Sequence, residues 1–358
     1  MSTLFDRNGG EDVSERFIQI SQNTKQFGNS TFHLSKKENN DGTTFMDPPT
    51  SFRSTNLVCV LPENELQSIG AHPAVGGIEI FPNSAHLLLS FGTDKKIKLW
   101  ELEGERRLIR TYEGHRLPVR CVAFNTLGTE FASSGFDSSL IIWDTETGDV
   151  LKSFPRFGAV TAMVYSRTAL YFGFVDGRIL ELDTSTGSTK ELPSHSSTVN
   201  SFLWLNNNTL LMSTSKDRTV QLIDVVTSEV KQKLSHQELD EILTTTKFKK
   251  ENLLFGLTAS SKIIRIKYEN GILKIAANKT FKKIETQGKT CKISLSPDEK
   301  FLVCGDAKGH CSIWNVETRS QLIKWAAHSS PCVATIWHPH HTSLLLTAAH
   351  DGFVKLWI

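Results

Sequence analysis

Histidine, serine and aspartate, which can perform catalysis together, recur as a set in this chain. His115, Ser133 and Asp137 have the composition of a hydrolase triad, in which a histidine activates a serine and an aspartate orients the histidine. The same order and nearly the same spacing occur four times: His72, Ser90 and Asp94; His115, Ser133 and Asp137; His195, Ser213 and Asp217; His328, Thr347 and Asp351. Because an enzyme does not need four copies of one site, the repetition favours a structural role over a hydrolase.

A tryptophan follows the aspartate by six residues in three of these sets. Trp100, Trp143 and Trp357 hold this position, and Ile223 replaces tryptophan in the set of His195. The first two tryptophans are 43 residues apart, and WD-repeat propeller blades have a period of about 40–45 residues. We predict that the aspartate accepts a hydrogen bond from the histidine, the histidine bonds the hydroxyl, and the hydroxyl meets the indole N–H. Such a structural tetrad pairs its buried polar groups and rigidifies the blade.

Short alternating strands separated by turns begin near residue 57 and predict an all-β fold. Seven units end near Trp100, Trp143, Leu182, Ile223, Ile266, Trp314 and Trp357. We therefore predict a seven-bladed WD-repeat β-propeller over 57–358, in which four-stranded blades stack around a ring. The last unit reaches only its third strand at Ile358, so we expect residues 57–69 to supply its outer strand and close the ring.

Residues 1–56 have a different composition from the rest of the chain. They are rich in Asn, Ser, Thr, Asp and Gly, and phenylalanines are scattered along them, as at Phe17, Phe27, Phe32 and Phe45. Such a segment buries too little surface to offset its ordering entropy, so we expect an extended or disordered tail. Its phenylalanines are candidate anchors on a partner.

The repeated residues are partly replaced in three blades. Arg156 stands where the third blade should have its histidine, Ser260 takes the aspartate position of the fifth blade, which retains His236, and Lys308 takes that position in the sixth. We expect these blades to be held by apolar packing alone and to open more readily.

Composition excludes several classes of function. The net charge of +2 predicts no general attraction to nucleic acid. The N-terminus lacks the apolar core of a signal peptide, and no apolar run approaches the ~20 residues that span a bilayer. None of the six cysteines forms a CxxC pair, so we expect buried thiols rather than a zinc site, with Cys304 and Cys311 able to face each other across a hairpin.

Two local motifs could bind ligands but have simpler interpretations. The run His338-Pro339-His340-His341 resembles a metal cluster, yet a solvated turn is the preferred interpretation, since a metal site needs converging ligands held by outer hydrogen bonds. Gly288-Lys289-Thr290 resembles the end of a phosphate loop but lacks the upstream glycine. We predict no catalytic, cofactor-binding or metal-binding residues.

Two sets of residues are candidates for binding partners. Thr93, Phe136, Lys216 and His350 each precede a repeat aspartate and should lie on one rim of the propeller. Between Lys247 and Lys300 there are 13 basic and 5 acidic residues, and this basic sector includes Lys249, Lys250, Arg265, Lys267, Lys282 and Lys283. A basic patch would suit phosphate groups or an acidic partner. The alternatives are exposed turn residues and solvated strand faces.

Specific motifs resemble one family of propellers. The segments Lys96–Glu101, Gly104–Arg107, Asp144–Gly148, Trp337–His340 and Lys355–Trp357 resemble the WD-repeat pre-mRNA-processing factor 17 family, whose members are splicing factors that act around the second catalytic step. The resemblance implies a non-enzymatic, nuclear scaffold that is a monomer within the spliceosome. Its implied partners are spliceosomal proteins and snRNA or pre-mRNA backbone, with no small-molecule substrate, cofactor or membrane.

A different class of function fits the same fold. A propeller can be the substrate receptor of another complex, such as a ubiquitin ligase, and would then need a pocket on its rim for a short peptide.

Overall fold

The computed structural model describes residues 44–47, 58–235, 240–248, 253–282 and 284–358. These residues form 28 β-strands and one turn of 3-10 helix at Asn206–Asn208. The strands of the first half are β1 (Glu65–Gly70), β2 (Val75–Ile80), β3 (Leu87–Gly92), β4 (Lys96–Glu101), β5 (Leu108–Glu113), β6 (Val119–Phe124), β7 (Glu130–Gly135), β8 (Leu140–Asp144), β9 (Val150–Phe154), β10 (Val160–Tyr165), β11 (Ala169–Phe174), β12 (Ile179–Asp183), β13 (Thr189–Leu192) and β14 (Val199–Leu205). Those of the second half are β15 (Leu210–Ser215), β16 (Thr219–Asp224), β17 (Glu229–Ser235), β18 (Ile242–Lys247), β19 (Leu253–Thr258), β20 (Ile263–Glu269), β21 (Ile272–Phe281), β22 (Ser294–Leu295), β23 (Phe301–Gly305), β24 (His310–Asn315), β25 (Gln321–Ala326), β26 (Cys332–Trp337), β27 (Leu345–Ala349) and β28 (Phe353–Trp357).

The strands are grouped in seven four-stranded antiparallel sheets, which confirms the predicted all-β, seven-bladed propeller. Blades 1 to 6 take four consecutive strands each, beginning with β2, β6, β10, β14, β18 and β22. The first strands of neighbouring blades contact one another, as β2 contacts β6 and β10 contacts β14. The first strands therefore line a central channel. Because the strands of each blade are antiparallel, the turns between the second and third strands lie on one face of the ring, here called the channel face. The turns between the first and second strands lie on the opposite face.

Blade 7 is completed by a strand from the other end of the chain. Its order is β1-β28-β27-β26, and β1 pairs with β28 from Glu65 opposite Trp357 to Gly70 opposite Phe353. Residues 58–64 precede this strand and are held by backbone hydrogen bonds, including those from Glu63 and Asn64 to the carbonyl of Ile358. The pairing covers an edge that would otherwise expose unpaired backbone groups.

The apolar core lies between blades rather than within them. The second strand of blade 1, β3, is buried along its whole length, because it is sandwiched between two neighbouring blades. One apolar cluster joins blades 1 and 2 through residues such as Leu89 and Phe131, and another joins blades 7 and 1 through Leu346 and Leu88. Burial of such surface contributes roughly 25 cal/mol per Å², so each blade is stabilised by its neighbours.

The structure describes one short piece of the N-terminal segment, residues 44–47. Phe45 and Met46 pack against the cluster between blades 1 and 2, and His86 Nε2 donates to the carbonyl of Phe45 at 3.1 Å. Phe45 therefore contacts the propeller itself, contrary to its predicted role as an anchor on a partner. The other three phenylalanines, Phe17, Phe27 and Phe32, lie outside the described residues, as do Leu57 and most of the predicted tail.

Within the described ranges, no helix has the length and apolarity required to cross a bilayer.

Candidate functional site

The polar tetrad of blade 2 is a chain of hydrogen bonds across three strands. His115 Nδ1 lies 3.2 Å from Asp137 Oδ2, His115 Nε2 lies 2.8 Å from Ser133 Oγ, and Trp143 Nε1 donates to the same Oγ at 2.8 Å. A carboxylate only accepts and an indole only donates. His115 Nδ1 therefore carries the proton that Asp137 accepts, and the Ser133 hydroxyl donates to Nε2.

Blades 1 and 7 contain the same chain. In blade 1, His72 lies 2.7 Å from Asp94 and 2.8 Å from Ser90, whose Oγ accepts from Trp100 Nε1 at 2.8 Å. In blade 7 the corresponding residues are His328, Asp351, Thr347 and Trp357, with the indole N–H 2.9 Å from the threonine hydroxyl. The aspartates also accept backbone N–H groups of the neighbouring loops, so each tetrad joins two turns of its blade.

Blade 4 keeps the histidine and serine but uses a threonine as a relay. His195 Nδ1 donates to Thr219 Oγ1 at 2.8 Å, and the Thr219 hydroxyl donates to Asp217 at 2.6 Å. The serine is Ser213, 2.8 Å from His195 Nε2. Ser139 has the equivalent position in blade 2 and donates to Asp137 at 2.7 Å. This hydroxyl was not predicted from the sequence, although it lies two residues after the aspartate in both blades.

The environment fixes the charge of these groups. Burial alone would raise the pKa of Asp137 and of Asp217. Hydrogen bonds from His115, Ser139 and backbone N–H groups hold the pKa of Asp137 far below its usual range, and those from Thr219 and backbone N–H groups do the same for Asp217. Burial lowers the pKa of His195 and of His328. In blade 4 the two effects together favour a carboxylate next to a neutral imidazole at neutral pH.

The hydrolase interpretation needs a serine that a substrate can reach. The tetrad hydroxyls of Ser90, Ser133, Ser213 and Thr347 belong to fully buried residues. Each Oγ is also occupied by the histidine of its own blade, and the four sets lie in four different blades. The geometry therefore does not assemble one reactive cleft from them.

Blades 5 and 6 are not held by apolar packing alone, so that expectation was wrong for these two blades. In blade 6, Lys308 occupies the aspartate position and forms an ion pair of 2.5 Å with Glu285. The charges are therefore reversed relative to the aspartate and histidine of a tetrad. The buried carboxylate of Asp306 accepts the N–H groups of Lys308 and His310. In blade 5, Asp240 accepts the N–H of Ser260 at 2.6 Å, which ties the same two loops in the opposite direction. His236 lies outside the described residues.

One backbone hydrogen bond recurs on the channel face of all seven blades. The residue before each tetrad aspartate, or its equivalent, donates its N–H to a carbonyl in the loop that precedes the first strand, as in Phe136 to Pro118 at 2.9 Å and His350 to Pro331 at 3.1 Å. The donors are Thr93, Phe136, Val175, Lys216, Ala259, Ala307 and His350. Because the bond repeats, Thr93, Phe136, Lys216 and His350 occupy equivalent positions on one rim, and all four are exposed.

The central channel has a basic mouth. A cavity of about 480 Å³ lies among the first strands, and its lining includes Arg120, Asn200, Lys289 and His350. No carboxylate is found among the described residues that line it. Lys289 belongs to the Gly288-Lys289-Thr290 motif, which forms an exposed turn before the first strand of blade 6. Phe136 stands nearby, with the Arg120 guanidinium 5.4 Å from its ring centre.

The repeat pattern also matches known proteins. The model of the WD domain, G-beta repeat, matches residues 106–144, 187–224, 281–315 and 319–357. Human pre-mRNA-processing factor 17 is 30% identical over 306 residues, which is 84% of this chain and 53% of that protein. The protein of the same name from Saccharomyces cerevisiae is 24% identical over 344 residues, covering 90% of this chain and 74% of the relative. The chain belongs to the pre-mRNA-processing factor 17 family.

This member of the family spans about half the length of its human and mouse relatives. The beta-propeller domain of Cps50 (Swd1) from Myceliophteria thermophila superimposes with a TM-score of 0.73 at 15% identity, covering 83% of this chain and 99% of that domain. At this identity the likeness supports the fold only.

The described residues of the basic sector in this pre-mRNA-processing factor 17 relative do not form one patch. Lys247 donates to the carbonyl of Trp204, Lys267 pairs with Glu269, and Lys292 pairs with Glu79 inside the ring. The physical reason is that successive side chains of a strand point to opposite faces. Arg265 is half-buried on β20, Lys282 is exposed after β21, and Lys249, Lys250 and Lys283 lie outside the described residues.

The histidine turn of this family member is solvated only in part, so the interpretation as a solvated turn was wrong for His338. His338 is fully buried and donates from Nε2 to the carbonyl of Ala85 in blade 1 at 3.1 Å. His340 donates to the carbonyl of Asn83, and His341 pairs with Glu103 at 3.2 Å. The turn therefore joins blade 7 to blade 1.

The cysteines are free thiols, and five of the six are buried. Cys304 faces Ser312 rather than Cys311 in the strand register, while Cys311 Sγ lies 3.7 Å from Cys332 Sγ of the next blade. Burial raises the pKa of the Cys59 thiol to about 11. The five buried thiols are packing groups.

Proposed function

We propose that this protein is a non-enzymatic scaffold of the spliceosome that acts around the second step, exon ligation. The observation that carries the proposal is the 30% identity to human pre-mRNA-processing factor 17 over 84% of the chain. In this role the propeller holds protein and RNA elements while the RNA performs the chemistry. The proposal includes residence in the nucleus as a monomer within the large complex.

The channel face is the proposed docking surface for spliceosomal proteins. The tetrads and the repeated backbone bonds hold its turns in place, so partners meet a preorganised surface and binding loses little ordering entropy. Phe136 is 59% exposed and lies against Arg120, and such an aromatic and arginine pair is typical of the residues that contribute most to protein interfaces. Thr93, Lys216 and His350 extend the same rim.

The basic channel mouth favours an acidic or phosphate-bearing element of the partner. Arg120, Lys289 and His350 converge there without a lining carboxylate in the described residues. A small set of basic residues gives weak, salt-sensitive attraction rather than tight sequence-specific binding. Binding to RNA alone should therefore be weak and should be lost as salt is raised, whereas a protein partner that also covers Phe136 should resist salt better.

Affinity purification from nuclear extract tests the proposal. Wild-type protein should recover splicing proteins and small nuclear RNAs, and Phe136→Ala should reduce that recovery several-fold. The matched control is Leu127→Ala, because Leu127 is 70% exposed in the same blade but lies in a first-to-second turn on the opposite face. Equal recovery by both variants would remove the channel face from the proposal.

The same experiment separates the second candidate, a substrate receptor of a ubiquitin ligase. Recovery of cullin-type partners without RNA would favour that function and overturn the splicing role.

A further inference from the structure

The turn His338–His341 and the blade 1 residue Glu103 form a cluster that the scaffold function does not use. One potential ligand atom from each of His338, His341 and Glu103 lies within 4.8 Å of the other two. His338 and His341 come from the first-to-second turn of blade 7, whereas Glu103 follows the third strand of blade 1. The cluster therefore lies across the junction between the last and first blades.

The donor set and spacing suit a zinc ion. Two histidine nitrogens and one glutamate oxygen are a known zinc ligand set, with bonds of about 2.0–2.2 Å. Tetrahedral ligands at these bond lengths are about 3.4 Å apart. His341 Nε2 and Glu103 Oε1 are 3.2 Å apart, and the rings of His338 and His341 have centroids 4.5 Å apart at an interplanar angle of 63°. Only small shifts would bring the three donors to a common ion.

The surroundings orient His338 as metal ligands are usually oriented. Ligating histidines commonly donate the N–H of the other ring nitrogen to a backbone carbonyl, which fixes the tautomer. His338 Nε2 donates to the carbonyl of Ala85, so Nδ1 carries the lone pair. That Nδ1 accepts a long 3.2 Å bond from the N–H of His340, a contact that a metal ion would replace.

Burial keeps His338 in a fixed position. The residue is fully buried, and its Nε2 hydrogen bond holds the ring in one orientation at the junction of blades 7 and 1. The carbonyl that fixes the ring belongs to Ala85, whose φ of 57° places this blade 1 turn in the left-handed region.

We propose that His338, His341 and Glu103 bind a zinc ion, with water as a fourth ligand, and that this ion links blade 7 to blade 1. The site is structural in this proposal. It would reinforce the junction next to the β1–β28 pairing, where the two ends of the propeller meet.

Equilibrium dialysis of the full chain against Zn²⁺, followed by elemental analysis, measures the stoichiometry. Co²⁺ in place of Zn²⁺ reports the geometry through the intense visible bands of a four-coordinate ion. We expect one equivalent of metal, with affinity reduced at least tenfold in His341→Ala and in Glu103→Gln. Both substituted side chains are partly exposed, so the variants should fold, and circular dichroism of the metal-free proteins checks this.

His350→Ala is the matched control, because His350 is an exposed histidine on the opposite face. It should bind one equivalent like the wild type. Zn²⁺ should raise the melting temperature of wild-type protein and of His350→Ala, but not of the two site variants. Absence of saturable binding, or binding that His341→Ala and Glu103→Gln leave unchanged, would show only adventitious metal and would overturn the proposal.

Discussion

Blades 2 and 3 lie side by side and share one apolar cluster, but their loops are held differently. Blade 2 joins its turns through Asp137 and His115, which are almost completely buried. In blade 3 the equivalent Asp176 is exposed and pairs only with Arg178 of its own turn. Strand order and apolar packing are thus sufficient to form a blade, and the tetrad is an additional device that fixes the channel-face loops.

The largest effect should come from removing the blade 2 carboxylate. Asp137→Ala should destabilise the protein by about 3 kcal/mol, because hydrogen bonds to charged groups contribute ~1.5–3 kcal/mol and Asp137 accepts several. Asp176→Ala in blade 3 should cost about 0–1 kcal/mol, as expected for an exposed ion pair. Urea unfolding of both variants measures the difference, and equal losses would contradict the distinction between the two blades.

A smaller loss of stability is expected when Ser133 of blade 2 is replaced, and no loss when its neighbour Ser134 is replaced. Ser133→Ala should cost about 2 kcal/mol, because it leaves a buried imidazole nitrogen and a buried indole N–H unpaired. Ser134 is equally buried, but its Oγ has no hydrogen-bond partner in the described part of the chain. Ser134→Ala should therefore be neutral or stabilising in the same urea titration. A loss in Ser134→Ala as large as in Ser133→Ala would show that only packing matters at these positions.

The tetrads were predictable because their spacing follows from strand lengths and register. In blade 2, Ser133 lies opposite Val122 and Ile141 in the paired strands, so a fixed number of residues separates the members of the chain. The substitutes in blades 5 and 6 were not predictable in this way. Glu285 comes from a loop with its own length, and Asp240 replaces a side-chain donor with an acceptor for a backbone N–H.

The burial of His338 was missed for a different reason. Its motif was placed correctly in a turn, but a turn is solvated only when nothing packs on it. The contacts from His338 to Ala85 and from His340 to Asn83 depend on ring closure, which brings residues more than 250 positions apart together. Local patterns carry no signal for such a junction.

A fall in pH should lower the free energy of unfolding through the aspartates and histidines of the tetrad blades. The folded-state pKa of Asp137 is depressed, so its stabilising contribution is complete above the unfolded value of about 3.9 and is lost as pH falls below it. The depressed pKa values of His195 and His328 add a loss that begins as pH falls below about 6.5. Unfolding free energies measured from pH 7 to pH 2.5 should therefore decline steadily.

The matched variants locate the acid-sensitive group. Asp137→Asn should be less stable than wild type at pH 7 but should lose less stability between pH 4 and pH 2.5. His195→Gln should flatten the earlier part of the curve, between pH 6.5 and pH 5. An unchanged acid slope in Asp137→Asn would assign the low-pH loss to other carboxylates.

The smallest effect concerns one backbone bond that all seven blades share. The N–H of Phe136 in blade 2 and that of Val175 in blade 3 donate to equivalent carbonyls at 2.9 and 3.0 Å, so the two amides differ mainly in whether a tetrad holds the loops. We expect the Val175 amide to exchange about tenfold faster, which corresponds to about 1.4 kcal/mol of local opening free energy. The amides of Ala259 and Ala307 should exchange at intermediate rates, because Asp240 and Glu285 tie the corresponding loops of blades 5 and 6. Residue-resolved hydrogen exchange measures all four amides in one experiment. If Ala259 and Ala307 exchanged as fast as Val175, the polar contacts of Asp240 and Glu285 would not replace the tetrad. Equal exchange rates at Phe136 and Val175 would mean that apolar packing alone determines loop opening.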